Sequence, residues 1–258
     1  MFEILISCMH KRDFRILKDS NIHCNALIIN QTDKNETLRT DNAQMICTTE
    51  RGLSKSRNMA VSHTAADICL LSDDDEVFVD GIDVIVQNAY EKIPNADIII
   101  FKMINYPTSL GNKIRPLKMR DLLKVSSWQI SFKTDKIKGK IRFDENIGAG
   151  TNNGGGEENK FLMDCYKGGL KIYYYPQEIA SVAQNESTWF HGYDDKFFYI
   201  RGANTRYIFG LKYSLVYALY YALTKRKLYR SKISTRRALS CLYHGIKDDY
   251  ISKENSIA

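Results

Sequence analysis

The sequence predicts a doubly wound α/β domain, in which helices cover both faces of a mostly parallel sheet. Through about the first hundred residues, short apolar runs alternate with segments of helical periodicity. The apolar runs are continuous and rich in isoleucine and leucine, which is typical of parallel strands buried on both faces. Ligands of such sheets bind beyond the carboxyl ends of the strands, so the segments that follow the strands are the first candidates for a functional site.

The same periodicity places the elements in chain order. The predicted strands are Phe2–Cys8, Ala26–Asn30, Gln44–Thr48, Ile68–Ser72, Asp97–Met103 and Ser126–Lys133. The predicted helices are Lys11–Lys18, Ser54–Thr64, Asp80–Lys92 and Glu157–Lys167. The segment Tyr106–Arg120 contains proline, glycine and several basic residues and is predicted as a loop, either a plain surface excursion or a lid over an anionic substrate.

Length and composition favour a globular cytoplasmic protein. The chain has 258 residues, 44% of them hydrophobic, which is enough for one large α/β domain with a C-terminal elaboration or for two small domains. Its six cysteines are scattered without metal-ligand spacing, as expected of reduced, buried thiols. The N-terminal apolar run is too short for a signal peptide or a transmembrane span, so we expect a cytoplasmic location.

Three consecutive aspartates, Asp73, Asp74 and Asp75, follow the predicted strand Ile68–Ser72. Carboxylates at the end of a strand form a hard oxygen site that suits Mg²⁺ or Mn²⁺ with substrate phosphates as the other ligands. Because crowded carboxylates repel each other, a divalent cation would keep all three ionised. The alternative is a solvated acidic turn without a ligand.

A glycine-rich stretch, Gly148–Gly156, leads into the predicted helix that begins with Glu157 and Glu158. It is not a phosphate-binding P-loop, because no Gly-Lys-Ser/Thr follows the glycines. Two acids in a first helical turn could simply compensate the helix dipole. A carboxylate exposed through a loop without bulky side chains is also well suited to act as a general base on a substrate hydroxyl.

Three segments in this order resemble one enzyme family. They are RGLSKSRNMAV at Arg51–Val61, DICLLSDDDEV at Asp67–Val77 and GGGEENKFL at Gly154–Leu162. Together they resemble the inverting family 2 glycosyltransferases of GT-A fold, most of all the bacterial enzymes that build capsular or exopolysaccharide repeat units. The resemblance covers about residues 1–205 and implies a Rossmann-like αβα sandwich.

The resemblance implies a role for each matching donor-site residue. Asp73 and Asp75 resemble the DxD motif, in which the first aspartate touches the donor ribose and the last holds Mn²⁺ or Mg²⁺ on the diphosphate. Asp74 lies between them and is assigned to donor binding. Ser54 and Arg57 match the segment that leads into the donor pocket.

It also implies the catalytic base. Glu157 and Glu158 match an acidic pair whose second member usually acts as the base, although this chain has glutamate where aspartate is commoner. His191 lies where many GT-A enzymes place a histidine on the metal or the diphosphate. A structural histidine between aromatic residues is the alternative for His191.

The nucleotide base is expected at the ends of the first two strands. Ser7, Cys8 and Met9 lie at the end of the first strand, and Gln31 lies in the segment Asn30–Asp33 at the end of the second. The family usually has an acidic pair at the second position, and here Asn30 and Gln31 replace it.

The positive charge of the chain is concentrated near its C-terminus. Between Leu211 and Lys247 there are nine lysines and arginines and no acid. The apolar segment Lys212–Leu223 is shorter than the roughly 20 residues of a spanning helix. As a helix it would present a face of four tyrosines beside a row of leucines, at Tyr213, Tyr217, Tyr220, Tyr221, Leu215, Leu219 and Leu223. Residues 211–237 are therefore predicted to lie on an anionic membrane, or else to pack against the catalytic domain or a partner subunit. Nucleic acid is disfavoured because no recognised binding motif accompanies the charge.

The resemblance, together with these observations, implies a metal-dependent inverting glycosyltransferase of hexosyltransferase type. The expected donor is a nucleotide-sugar, a UDP-sugar first, and the acceptor a glycan or lipid-linked saccharide in cell-surface polysaccharide synthesis. The glycosyltransferase domain would span 1–205, with a nucleotide-sugar half at 1–104 and an acceptor half at 105–205. A helical extension at 206–258 would hold the enzyme at the inner face of the plasma membrane, as a monomer or an oligomer. The alternatives are a sugar-nucleotide nucleotidyltransferase, disfavoured because no glycine follows the first strand, and a non-catalytic scaffold protein.

Overall fold

The computed structural model describes residues 1–183 and 192–251. Its strands are β1 Phe2–Met9, β2 Ala26–Gln31, β3 Glu36–Arg39, β4 Ala43–Thr48, β5 Ile68–Ser72, β6 Glu76–Phe78, β7 Ile98–Met103, β8 Arg115–Pro116, β9 Ile130–Lys133 and β10 Ile172–Val182. Its helices are α1 Arg15–Asp19, α2 Leu53–His63, α3 Ile82–Lys92, α4 Thr134–Ile137, α5 Glu157–Lys167, α6 Asp195–Thr224, α7 Arg226–Tyr229 and α8 Thr235–Asp248.

The strands form one mixed sheet in the order β3-β4-β2-β1-β5-β9-β7-β10-β6, with β8 paired to β10. Strands β4, β2, β1 and β5 are parallel neighbours, and β7 and β10 form a further parallel pair. Strand β9 runs antiparallel between β5 and β7. Because β1, β2 and β5 are paired in one sheet and most of their side chains are buried, their carboxyl ends are fixed relative to each other. The predicted α/β class with a mostly parallel central sheet is confirmed.

The chain divides into two compact units, and the division differs from the predicted domain boundary. The first unit contains Met1–Glu145 and resumes at Glu157, while the second combines Asn146–Gly156 with the C-terminal helices. The predicted boundary between residues 205 and 206 falls inside α6. The glycine-rich stretch belongs to the second unit because the Asn204 side chain in α6 donates a hydrogen bond to the Gly155 carbonyl (3.0 Å).

Several elements differ from the sequence prediction for identifiable reasons. The predicted helix over Lys11–Lys18 begins only at Arg15, because the Asn30 side chain holds the Lys11 backbone in a non-helical loop. Strand β10 was not predicted; it contains Pro176 and shifts register against β7 after Tyr174, which breaks its strand pattern. Strand β3 is an exposed edge strand with a single leucine and therefore carries little apolar signal.

The second unit is held together by a close crossing of α6 and α8. A Cβ atom added to Gly245 would lie 2.0 Å from the Tyr199 carbonyl oxygen, and one added to Gly202 would lie 2.2 Å from the Leu242 carbonyl oxygen. Glycine at both positions lets the two backbones approach to direct contact. Around the crossing, Phe198 and Tyr229 pack edge to face in an apolar cluster. Within the described residues, no helix has the length and apolarity to cross a membrane.

We expect Gly245→Ala to destabilise the protein strongly. The added methyl group meets backbone atoms that cannot rotate away, so the effect should reach or exceed the roughly 1–3 kcal/mol typical of overpacking. Urea unfolding would measure it, with the exposed Lys247→Ala on the same helix as the matched control. Equal stability of the two variants would contradict the close packing of α6 on α8.

Candidate active site

A buried arginine joins the three sequence motifs at the carboxyl end of the sheet. Arg57 in α2 is 2% exposed. Its Nη2 donates to both carboxylate oxygens of Asp73, at 3.0 and 3.3 Å, and its Nη1 donates to Oε1 of Glu157 at 2.9 Å. The end of β5 and the start of α5 are thereby fixed to one guanidinium, although Glu157 lies 100 residues after Arg57 in the sequence.

Aromatic packing keeps this guanidinium away from water. The Arg57 Cζ atom lies 5.6 Å from the centroid of the Phe143 ring, which stacks on Phe161 at 4.1 Å. Arg57 Nε and Glu157 Oε2 are buried without a hydrogen-bond partner among the described residues. A buried ion pair of this kind depends on both partners, because removing one leaves an uncompensated buried charge.

The RGLSKSRN segment uses its polar residues to attach α2 to neighbouring strand ends. Gly52 precedes α2 with a φ of 122°, a value that favours glycine, and its N–H donates to the Gln31 side-chain oxygen (2.8 Å). One turn later, the Ser56 hydroxyl donates to the Ser7 hydroxyl at the end of β1 (2.8 Å). These bonds orient α2 so that Arg57 enters the space beyond β5.

The three aspartates after β5 have three different surroundings. Asp73 accepts from Arg57 and, at 3.4 Å, from the Ser127 hydroxyl. Asp74 forms an ion pair with Lys11 at 2.8 Å. For Asp75 no ion pair is found in the described part of the chain, and its pKa is raised by burial and then by the charges of Asp73 and Asp74.

Asp75 is therefore the carboxylate of this loop that would gain most from a cation. Among residues 1–183 and 192–251, no group of three or more His, Cys, Asp or Glu side chains is arranged to hold a metal by itself. Mg²⁺ and Mn²⁺ sites commonly use one or two carboxylates and take their other ligands from substrate phosphates. The residues fit a cation of that kind, held by Asp75 and completed by a phosphate-bearing ligand.

Glu76 fixes the backbone of the same loop. Its side chain is 1% exposed, and its Oε1 accepts the Asp73 N–H at 3.0 Å. Burial, followed by the charge of Asp73, raises the pKa of Glu76 well above its ordinary range. The antiparallel pairing of β6 with β10, together with the bond from the Ala183 N–H to the Asp75 carbonyl (2.8 Å), holds the far side of the loop.

The two glutamates at the start of α5 differ in environment. Glu157 is 5% exposed and paired with Arg57, whereas Glu158 is only partly buried. Burial and then the neighbouring charge of Glu157 raise the pKa of Glu158 to about 8. In the described residues Glu158 has no ion-pair partner, and with this pKa its carboxylate can change protonation state near neutral pH.

The structure brings some of the predicted site residues together and gives others structural contacts. Arg57, Asp73 and Glu157 form one connected group, with Asp74, Asp75 and Glu158 adjoining it in sequence. Ser54 is buried in the first turn of α2, and Cys8 is buried with its thiol donating to the Asn30 side-chain oxygen (3.6 Å). Met9 is exposed at the end of β1. His191 lies outside the described residues.

Sequence reasoning missed three residues of this site. Lys11 pairs with Asp74, Glu76 holds the Asp73 N–H, and Ser127 donates to Asp73. A lysine directly after the first strand is a usable signal for Lys11. A glutamate following three aspartates looks like one more surface acid, and nothing in the local sequence marks Ser127.

The structure is similar to solved glycosyltransferase structures. Against residues 1–349 of S. aureus TarS in complex with UDP-GlcNAc, the TM-score is 0.62 at 13% sequence identity, covering 100% of this chain and 91% of that one. The same TarS segment in complex with UDP gives a TM-score of 0.61 at 12% identity, with coverages of 98% and 82%. The mannosyltransferase PcManGT from Pyrobaculum calidifontis, in complex with GDP-Man and Mn²⁺, gives 0.50 at 10% identity, with coverages of 96% and 69%.

No family model matches the sequence, and no curated protein matches it. Identities this low show the fold alone. The chain has the GT-A fold that its motifs implied.

Proposed function

We propose that the protein is a metal-dependent inverting glycosyltransferase that moves a sugar from a nucleotide-sugar to a hydroxyl of a glycan or lipid-linked saccharide. The preferred donor class is a UDP-sugar. The observation that carries the proposal is the buried Arg57, which links Asp73 of the strand-end acidic loop to Glu157 beside the candidate base. A solvated acidic turn needs no such arginine. Solved structures of similar fold are complexes with UDP, UDP-GlcNAc and GDP-Man, which supports a nucleotide-sugar donor.

Glu158 is assigned as the general base. It takes the proton of the acceptor hydroxyl while that oxygen attacks the anomeric carbon, and the bond from this carbon to the donor phosphate oxygen breaks. The nucleoside diphosphate leaves with the electron pair from the opposite face, which inverts the configuration. Glu157 is unsuited to this role because its Oε1 is held by Arg57 and its other oxygen is buried. Glu157 and Arg57 act as positioning residues.

The donor would lie beyond the ends of β1, β2 and β5. Asp75, with Asp73 beside it, would hold Mn²⁺ or Mg²⁺, and the cation would offset the charge that develops on the leaving diphosphate. When the donor binds, Asp74 would contact it, either in place of the ion pair with Lys11 or in addition to it. Since the Asn30 and Gln31 side chains are occupied by Lys11 and Gly52, the exposed Met9 is the residue of this group free to contact a base.

A donor screen tests the reaction class. The purified chain would be incubated with Mn²⁺ and a panel of UDP-, GDP- and dTDP-sugars, with released nucleoside diphosphate as the readout. Slow hydrolysis of one donor class is expected even without the acceptor, and it should disappear in Glu158→Gln together with transfer. Release from none of the donors, with or without saccharide acceptors, would favour a non-catalytic scaffold.

The pH dependence should report the base. Because the pKa of Glu158 is raised to about 8, most of the base is protonated and inactive below that value. We therefore expect log kcat/KM to rise from about pH 6 towards about pH 8 and then level off. The steady-state rate with the donor found above would measure it. A profile that is flat over this range would contradict the assignment of Glu158.

A further inference from the structure

The second half of α6 carries an apolar face that no described residue covers. The helix breaks at Gly210 (φ 78°, ψ 175°) and continues to Thr224. In this continuation Ser214, Ala218, Tyr221 and Ala222 face inward, while Val216 (67% exposed), Leu219 (55%) and Leu223 (64%) lie on the opposite side. Tyr213 and Tyr220 border the same side. Leucine and valine side chains with this exposure leave a contiguous apolar surface in water.

The predicted tyrosine face is divided by the fold. Tyr221 is buried with its ring centroid 4.3 Å from the Arg201 Cζ atom, and Tyr217 accepts hydrogen bonds from the same guanidinium at 2.6 and 3.0 Å. These two tyrosines therefore belong to the interior of the unit. The exposed face therefore consists of Val216, Leu219 and Leu223, with Tyr213 and Tyr220 beside them.

Basic residues continue from the end of this face. Lys225, Arg226, Lys227 and Arg230 are exposed, and in the described ranges none of them pairs with a carboxylate. The described acids of the C-terminal helices are engaged elsewhere: Asp195 pairs with Arg237 and Asp249 with Arg206, Asp194 accepts the Phe197 N–H, and Asp248 accepts the Tyr199 hydroxyl. Within residues 1–183 and 192–251, no carboxylate therefore pairs with the positive charge next to the apolar face.

We propose that this face, formed by Tyr213, Val216, Leu219, Tyr220 and Leu223 together with the cations 225–230, binds the surface of an anionic lipid bilayer. The aliphatic side chains would enter the headgroup–acyl boundary, the tyrosines would lie at headgroup level, and the lysines and arginines would contact lipid phosphates. The proposal does not depend on glycosyl transfer. In the cell it would hold the protein peripherally on the inner face of the plasma membrane.

A second copy of the chain fits the same face less well. A two-fold interface places the same patch on both subunits, so the second copy would bring a further set of cations to this face and no acidic surface from the described residues of the patch. An anionic lipid surface instead provides the opposite charge over a wide area. Charge complementarity therefore favours the bilayer over self-association.

Vesicle co-sedimentation of the full chain tests the proposal. We expect binding to vesicles of phosphatidylcholine and phosphatidylglycerol in a ratio of about three to one, at least about tenfold tighter than to phosphatidylcholine alone, and weakening as salt is raised. The triple variant Arg226→Ala, Lys227→Ala, Arg230→Ala should bind anionic vesicles about 100-fold more weakly, since each cation contributes roughly a fivefold factor. Its charge-matched control removes three exposed lysines of the first unit, Lys18, Lys34 and Lys167, and should bind as the parent does.

A second variant separates insertion from charge. Val216→Ser, Leu219→Ser, Leu223→Ser changes only exposed side chains, so the fold should be retained, with Val84→Ser, Ile104→Ser, Ile114→Ser as the matched control. The α6 variant should lose vesicle binding and its control should not. The proposal would be overturned if the protein bound neutral and anionic vesicles equally. It would also be overturned if the serine variant of α6 and the triple alanine variant at 226, 227 and 230 both bound anionic vesicles as the parent does. A dimer in solution that the α6 variant converts to monomer would overturn it as well, because the face would then be occupied by a second copy.

Discussion

Glu158→Gln is expected to lower the rate of glycosyl transfer by about 10²- to 10⁴-fold, the usual contribution of a general base. Glutamine keeps the size of the side chain but cannot accept the acceptor proton. The donor contacts on Asp73 and Asp75 are untouched, so the affinity for the nucleoside diphosphate should stay within about twofold of the parent. Initial rates and calorimetric titration with the diphosphate would measure the two quantities separately.

The melting temperature of Glu158→Gln shows whether a loss of activity comes from the missing base or from a damaged fold. Because burial raises the pKa of Glu158 in the folded protein, the stabilising contribution of the protonated form is present at low pH and is lost as pH rises through about 8. Glutamine stays neutral, so Glu158→Gln should not lose this contribution, and its melting temperature at about pH 9 should equal or exceed that of the parent. Loss of activity with a clearly lower melting temperature would indicate damage to the fold and contradict the catalytic role.

Arg57→Ala is expected to destabilise the first unit by about 3–5 kcal/mol, the cost of breaking a buried ion pair. The variant leaves Glu157 and Asp73 without their shared cation and opens a space against Phe143. Urea unfolding would measure the free energy of unfolding. The exposed arginine substitution Arg39→Ala, on the edge strand β3, is the matched control and should change it by less than about 0.5 kcal/mol.

Arg57→Lys distinguishes charge from geometry. A single ammonium can pair with one carboxylate, whereas the planar guanidinium reaches Asp73 through Nη2 and Glu157 through Nη1. We therefore expect lysine to recover only part of the stability and little of the transfer rate. Full recovery of both would show that a positive charge suffices and that the bridge between β5 and α5 is unimportant.

The sequence was sufficient for the central part of the fold. Strands β1, β2, β4 and β5 were predicted to within one residue at each end, because buried parallel strands are continuous apolar runs. Helix α5 was predicted with its bounds unchanged. Four strands without a continuous apolar run were missed: the exposed β3, the proline-containing β10, and the short β6 and β8.

The candidate site shows a similar limit. Arg57, Asp73 and Glu157 could be selected from their motifs, and the structure connects them directly. Arg57 donates a hydrogen bond to Glu157 and none to Glu158. This choice depends on the positions of side chains 100 residues apart in sequence, which a local sequence pattern does not encode. The predicted strand Ser126–Lys133 likewise begins as a 3₁₀ turn at Ser127–Gln129, because the Ser126 N–H bonds the Gln129 side chain; this turn places Ser127 beside Asp73.

Calorimetric titration with UDP and GDP, with and without Mn²⁺, tests the proposed donor site most directly. The parent protein is expected to bind one of the two diphosphates, and to bind it at least about tenfold more tightly with Mn²⁺. Asp75→Asn should lose the Mn²⁺-dependent part, whereas the exposed Asp41→Asn should bind as the parent does. Binding of neither diphosphate with any divalent metal, or Mn²⁺-dependent binding that survives in Asp75→Asn, would contradict the account of this loop as the place where cation and donor phosphates meet.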